Sequence, residues 1–292
     1  MTTRGLVITA GDCARDPATT DAIIGLAKAG AITATALIPV SPDAPRAAAA
    51  LRPLTEPSRR ALPSAGPAGT PALPRPIAVR LQVTLSGRPG CGPWRPVSPM
   101  ATLVRDGVLP DDPAWPAEHA HPDEVAIEIA AQHTWMVAHR LRPDGIDADD
   151  GTADNAPWPA AIGFCSRHAL ALRLPRDPAR YLPDAGPDTH DRHLARVAAC
   201  DRAGIRLPAA AVTNRRTAAD LGGYQALLDH CVALLGTLPA TGTSELVLHP
   251  APLGAPGVSE ADPVRTWELR MLTDPAWQEA VGAAGFTPVR SW

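Results

Sequence analysis

The sequence predicts an α/β fold of (β/α)-barrel type, and three observations carry the prediction. The first apolar run, Leu6-Val7-Ile8-Thr9-Ala10-Gly11-Asp12-Cys13, ends on a carboxylate, which is where the carboxyl end of a strand borders a site in such folds. A helix and a second strand at 31–38 follow closely enough to make a βαβ unit. Strand-like and helix-like segments then alternate along the rest of the chain, which favours a barrel over a sandwich or a bundle.

Residues 20–29 form a helix, with Thr19 or Thr20 as N-cap, Ile23, Ile24 and Ala27 on one face, and Gly30 at the left-handed cap. The stretch 39–76 holds ten prolines around a helix-like piece at 44–51, and its later part, 54–76, is a proline-rich loop insertion. In the strand at 77–85, Arg80, Gln82 and Thr84 alternate with Val79, Leu81, Val83 and Leu85. The polar face is expected to line the lumen and the apolar face to pack under helices. A helix over 122–139 opens on Pro122, with Asp123 and Glu124 in its first turn. Ile146-Asp147-Ala148-Asp149-Asp150 is a second strand end loaded with carboxylates. Further strands are expected at 160–164, 170–174, 205–207 and 245–249, and helices at 190–203, 217–235 and 264–284. One domain spans the 292 residues, a size that a single barrel core accommodates.

Composition removes several function classes. The net charge is −3 and the arginines are spread along the chain, so no basic footprint for nucleic acid is present. Five cysteines, Cys13, Cys91, Cys165, Cys200 and Cys231, are odd in number and lack C-x-x-C spacing, which indicates reduced thiols and a cytoplasmic protein. No stretch reaches the ~18 apolar residues of a membrane span. The expected partner is a small molecule, and a homodimer is compatible with the sequence.

Several segments share the order and spacing of one family's motifs. They are Thr9-Ala10-Gly11-Asp12-Cys13-Ala14, the strand from Gly30 to Leu37, Val79-Arg80-Leu81-Gln82-Val83-Thr84-Leu85, Ile146-Asp147-Ala148-Asp149-Asp150, Arg173-Leu174-Pro175-Arg176, Glu245-Leu246-Val247-Leu248-His249-Pro250 and the run from Arg265 to Leu272. Together they resemble the YdjC-like family of carbohydrate deacetylases, which includes chitooligosaccharide and hopanoid-associated deacetylases. In that family the first of these places holds N-A-D-D-F-G, the third V-G-L-H-L-T-L and the fourth I-D-S-H-x-H. The later places hold R-x-P-R, E-L-x-x-H-P-G and R-x-x-E-L-x-x-L.

The resemblance implies a distorted TIM-like barrel that removes an N-acetyl group from a sugar, using a divalent metal to polarise the amide and activate water. It also implies that the second Asp of D-D and two histidines hold the metal, that the first Asp is the base, and that the histidine of H-P donates a proton. This chain keeps Asp12 and His249 as the candidate catalytic residues. Gly11 stands at the base position, Gln82 at one histidine ligand and Asp149 at the other. A shell of Asp12, Gln82 and Asp149 would suit magnesium or manganese better than zinc, because it offers oxygen in place of imidazole nitrogen. Arg80, Thr84, Asp147, Arg173 and Trp94 are the candidate contacts to a carbohydrate-like ligand. Three readings stay open: a divergent hydrolase with an altered metal site, a catalytically silent relative that binds a ligand or partner without metal, and a metal-free hydrolase using Cys13 and His249.

Overall fold

The computed structural model describes residues 4–55, 76–148 and 157–292. Strand β1 (Arg4–Cys13) leads into α1 (Pro17–Ala29), β2 (Ala34–Leu37), α2 (Ala44–Thr55) and β3 (Ala78–Gln82). Next come α3 (Trp115–His119), α4 (Pro122–Ala138), β4 (Gly145–Asp147), α5 (Trp158–His168) and β5 (Ala171–Leu172). They are followed by α6 (Pro178–Tyr181), α7 (Pro187–Arg202), β6 (Ala211–Thr213), α8 (Ala218–Leu221), α9 (Tyr224–Thr237) and β7 (Gly242–Leu248). The last elements are α10 (Val264–Thr273), α11 (Pro275–Ala283) and β8 (Phe286–Pro288).

All ladders are parallel, and seven strands run in the order β5-β4-β3-β2-β1-β7-β6, with β8 added to β1. β1 is the axis of this sheet. One of its edges pairs with β7 from Arg4 to Ala10, and the other is shared by β8 below, at Arg4 to Leu6, and β2 above, at Thr9 to Cys13. No ladder joins β5 to β6 among the described residues; Leu172 N–H to Arg206 O (3.0 Å) and Arg176 N–H to Pro208 O (3.0 Å) are single bonds across that gap. The result is a curled half-barrel that is not fully closed, consistent with a TIM-like architecture.

Local chemistry explains the element boundaries. Helix α1 starts before the expected position because Asp16, and not a threonine, caps it: its Oδ1 accepts the Thr19 N–H at 2.9 Å, and Pro17 occupies the first turn. Gly30 closes it in the left-handed conformation, φ 72°. The strand expected at 160–164 is part of helix α5, whose Trp158, Ala161, Phe164 and Cys165 form the buried stripe. A short apolar run fits either structure, and here Pro159 in the first turn and the spacing of the buried residues decide for the helix. The strand expected at 205–207 is displaced to β6, beyond Pro208, which has no N–H to give a ladder. The helix expected at 217–235 is divided at Gly222 (φ 72°), and the one at 264–284 at Asp274, whose side chain accepts the Ala276 N–H and restarts it as α11. Strand β8 carries no strand pattern in the sequence. Residues 56–75, most of the proline-rich insertion, lie outside the described residues.

The lumen is layered along the strands. At their amino ends Val7, Ala34, Ala78, Ala171 and Trp292 form a small apolar cluster. Above it Arg80 Nη1 donates to Glu245 Oε1 at 2.6 Å and to Thr9 Oγ1 at 3.0 Å, and Thr9 Oγ1 donates to Glu245 Oε1 at 2.6 Å. Arg173 donates to both Glu245 oxygens at 3.2 Å and pairs with Asp147. The Arg80 guanidinium also stacks over Trp292, 3.4 Å from the ring centroid. Burial pushes the Glu245 carboxyl up, but Arg173 and Arg80 outweigh it and hold the group ionised. Removing one partner of such a network strands a buried charge. Arg80→Met is therefore expected to cost about 3–5 kcal/mol of unfolding free energy; a urea titration showing a loss under about 1 kcal/mol would contradict the network's role.

Candidate functional site

The candidate site lies at the carboxyl ends of the strands, with further side chains from the adjoining loops and helices. A cavity of about 350 Å³ opens there, lined by Asp12 from β1, Gln82 from β3, Asp147 from β4, Arg173 after β5, Ala211 to Thr213 of β6, and Val247 and His249 at β7, with Arg88, Tyr181, Asn214 and Arg215 from loops and α6. This is where parallel α/β sheets place ligands.

Asp12 owes its position to a bulge. The β1–β2 register shifts between Ala10 and Cys13, and Asp12 and Ala14 adopt φ 62° and φ 74°. An aspartate tolerates this left-handed conformation better than most residues, and the bulge turns its side chain into the cavity. The Asp12 N–H that the bulge frees from the ladder donates to Gln82 Oε1 at 3.1 Å. That bond orients the Gln82 amide, because only its oxygen can accept. Gln82 Nε2 therefore faces the carboxylate and donates to Asp12 Oδ1 at 3.2 Å. The other oxygen, Asp12 Oδ2, accepts from Arg15 Nη1 and Arg265 Nη2, both at 3.1 Å. Burial pushes this carboxyl up, but the charges of His249, Arg265, Arg15 and Arg88 prevail and hold it well below the usual carboxylate range.

His249 is held from α10. Glu268 Oε2 accepts the His249 N–H at 2.8 Å, and Arg265 Nε donates to the His249 carbonyl at 2.6 Å. The same arginine thus ties the ends of β1 and β7 together through Asp12 and His249. No hydrogen bond is made by the imidazole itself among the described residues. Burial lowers its pKa, with Asp12 opposing and Arg265, Arg173 and Arg15 adding to the fall. Gly11 lies against it: a Cβ there would stand 2.9 Å from His249 Cδ2 and 3.0 Å from Nε2. The ring occupies the space that a side chain at position 11 would need.

The remaining candidates separate. Asp147 and Arg173 line the cavity as an ion pair. Arg80 is buried beneath it on Glu245. Thr84 is buried, its N–H and carbonyl both bonded to Gln132 of α4 (3.1 and 2.7 Å), so that glutamine finishes the ladder of β3. Trp94 is fully buried in the outer hydrophobic core. Cys13 also points to that core, and burial pushes its thiol up to about 12. Asp149 lies outside the described residues. Arg15, Arg265 and Glu268 escaped the sequence reading as site residues; the i, i+3 spacing of Arg15 from Asp12, and of Glu268 from Arg265, was the available signal.

Among the described residues, which do not include Asp149, the arrangement does not match a divalent metal. Both Asp12 oxygens are already taken by cationic or amide donors, and Gln82 presents nitrogen toward the carboxylate. Among the described residues no three His, Cys, Asp or Glu side chains stand together as a metal-holding group.

The YdjC-like protein family model matches residues 5–283. The chain belongs to the YdjC-like family. The crystal structure of a candidate cellobiose-phosphate cleavage protein from Enterococcus faecalis V583 superimposes on this YdjC-like barrel with a TM-score of 0.73 and 20% identity, covering 99% of this chain and 98% of that one. A glucosidase from Croceicoccus marinus aligns at a TM-score of 0.36 and 11% identity, over 97% of this chain and 69% of that one, too remote to carry an argument. A search of curated proteins returns no match.

Two outcomes follow for this YdjC-like site. Gly11→Asp should destabilise the fold by about 1–3 kcal/mol through the clash with the imidazole, and most of that loss should return in the Gly11→Asp, His249→Ala double variant; additive losses in thermal melts would refute the crowding. The Glu268 carboxyl is pushed up by burial to about 7. A folded-state pKa raised from 4.5 means that the native protein binds the extra proton between pH 4.5 and 7, so stability falls as pH rises through that window. Glu268→Gln should remove this slope, which paired urea titrations at pH 5 and pH 8 will read.

Proposed function

We propose that this YdjC-like barrel binds a small carbohydrate-like molecule at the carboxyl ends of its strands without metal-assisted hydrolysis. The family suggests a carbohydrate deacetylase-type hydrolase. The observation that carries the departure is the pair of guanidinium groups on Asp12: positive charge that the deacetylase chemistry would draw from a metal is supplied here by Arg15 and Arg265. Gly11 brings no base, and a base cannot be put back beside the His249 ring without moving it.

A second reading is favoured by one feature, the imidazole of His249, which faces the cavity with no hydrogen-bond partner among the described residues and whose pKa burial lowers. Burial favours the unprotonated ring, the form that acts as a general base toward water, which supports a slow, metal-free hydrolase.

The two readings part in one experiment. With N,N′-diacetylchitobiose as probe, calorimetric binding should survive EDTA, the melting temperature should not respond to Mg²⁺, Mn²⁺ or Zn²⁺, and no acetate should be released. Acetate release that requires added metal would overturn the proposal. Metal-independent release that disappears in His249→Ala would establish the second reading in its place.

A further inference from the structure

A helix on the outside of a parallel sheet turns its apolar stripe inward and a polar face to solvent, and α4 departs from this pattern. Its inward side is fully committed: Val125, Ile129 and Met136 are buried in the core, Gln132 finishes the ladder of β3, and Glu128 accepts the Val97 N–H at 2.8 Å and the Ser98 N–H at 3.0 Å. The outward side is apolar as well. Ile127 is 55% exposed and Val137 50%, and the small residues Ala131, Thr134 and Ala138 recur at helical spacing beside them. From Ile129 to His139 the sequence holds no Asp, Glu, Lys or Arg, although a fifth of the whole chain is charged. Charge returns only at the two ends of α4, with opposite sign. Asp123, in the first turn, has a side chain 86% exposed and 3.6 Å from His121, and Arg140, just past the C-cap, is exposed too.

We propose that this face of α4 is an isologous interface, on which a second copy of the chain docks with its own α4 antiparallel. A two-fold pairing requires a patch that is complementary to itself, and α4 meets the requirement in one register. Ile127 follows Asp123 by four residues and Val137 precedes Arg140 by three, so the alignment that sets Ile127 against Val137 of the second copy also brings Asp123 to its Arg140. Each contact occurs twice, the small residues lie near the axis where the helices approach most closely, and the helix dipoles oppose each other. A face made for a different protein needs no such symmetry. Helix α4 is about 25 Å long, and with α5 packed beside it at about 10 Å the patch is on the order of 500 Å² per copy, near the lower bound for a specific pair. The dimer is therefore a micromolar one.

Sedimentation equilibrium of the full chain, over a range of about 1 to 200 µM that brackets such an affinity, tests the proposal. The wild type should pass from monomer to dimer mass across that range. Ile127→Glu and Val137→Glu should each weaken association at least about tenfold, because each places two carboxylates in the apolar centre. Asp123→Arg and Arg140→Asp should each weaken it about tenfold when alone, through two like-charge contacts, and the two variants mixed together should associate again, since every end then meets its opposite. All four positions are exposed, and circular dichroism establishes that the variants are folded. A monomer at every concentration, a dimer that survives both glutamate substitutions, or charge variants that fail to recover on mixing would overturn the inference.

Discussion

A carboxylate that is only 6% exposed stays ionised only if something compensates for the water it has lost. For Asp12 that compensation comes from Arg15 and Arg265 together with the Gln82 amide. The consequences spread outward from this one group. Gln82 is oriented by it, Arg265 is drawn across from α10, and through Arg265 and Glu268 the backbone of His249 is set. The left-handed backbone at Asp12 is tolerable because the same residue supplies the N–H and the carboxylate that its neighbours bind.

The lumen below repeats the principle with different partners. Arg80, Arg173, Glu245 and Asp147 form a chain of alternating charge from the middle of the barrel to the cavity floor, so each ion is desolvated in the company of its opposite. Geometry of this kind is satisfied by one arrangement and penalises others, because a misplaced partner leaves an unpaired charge in a dry interior. Smaller residues, Ala34, Ala78 and Ala171, share the tier beneath with Val7 and the Trp292 ring.

The α/β class with its curled parallel sheet was legible in the sequence because its signals are local. The apolar run that ends at Asp12, the cap at Gly30, and the alternation of Arg80 and Gln82 with Val79 and Leu81 each follow from a few neighbouring residues. The places where reading failed depend on partners far away in the chain. The run 160–164 is apolar enough for a strand, and Pro159 together with the packing of its buried stripe against distant elements such as α4 and α7 makes it part of α5. The three residues of β8 carry no pattern at all and become a strand because the lower edge of β1 is open to them. At the site, the sequence exposed the substitutions at Gly11 and Gln82 but not the arginines on Asp12, since nothing in the sequence tells which of 27 basic residues will meet a given carboxylate. Trp94 shows the opposite failure: a tryptophan in a loop suggests stacking on a sugar, whereas this loop folds inward and buries it.

The pairing of β1 also has a kinetic side. Its partner on one edge, β7, begins at Gly242, and the partner on the lower half of the other edge, β8, begins at Phe286, so the strand at the axis of the sheet completes neither edge from nearby chain. Arg80 meets its aromatic cover only when Trp292 arrives. Contacts of such large sequence separation must overcome loop-closure entropy before they stabilise anything, which makes folding slow and concentrates it late. During synthesis the first half of the sheet would leave the ribosome with one edge of β1 open and the lower half of the other unpaired, a stage at which chaperone binding and aggregation compete with completion of the sheet.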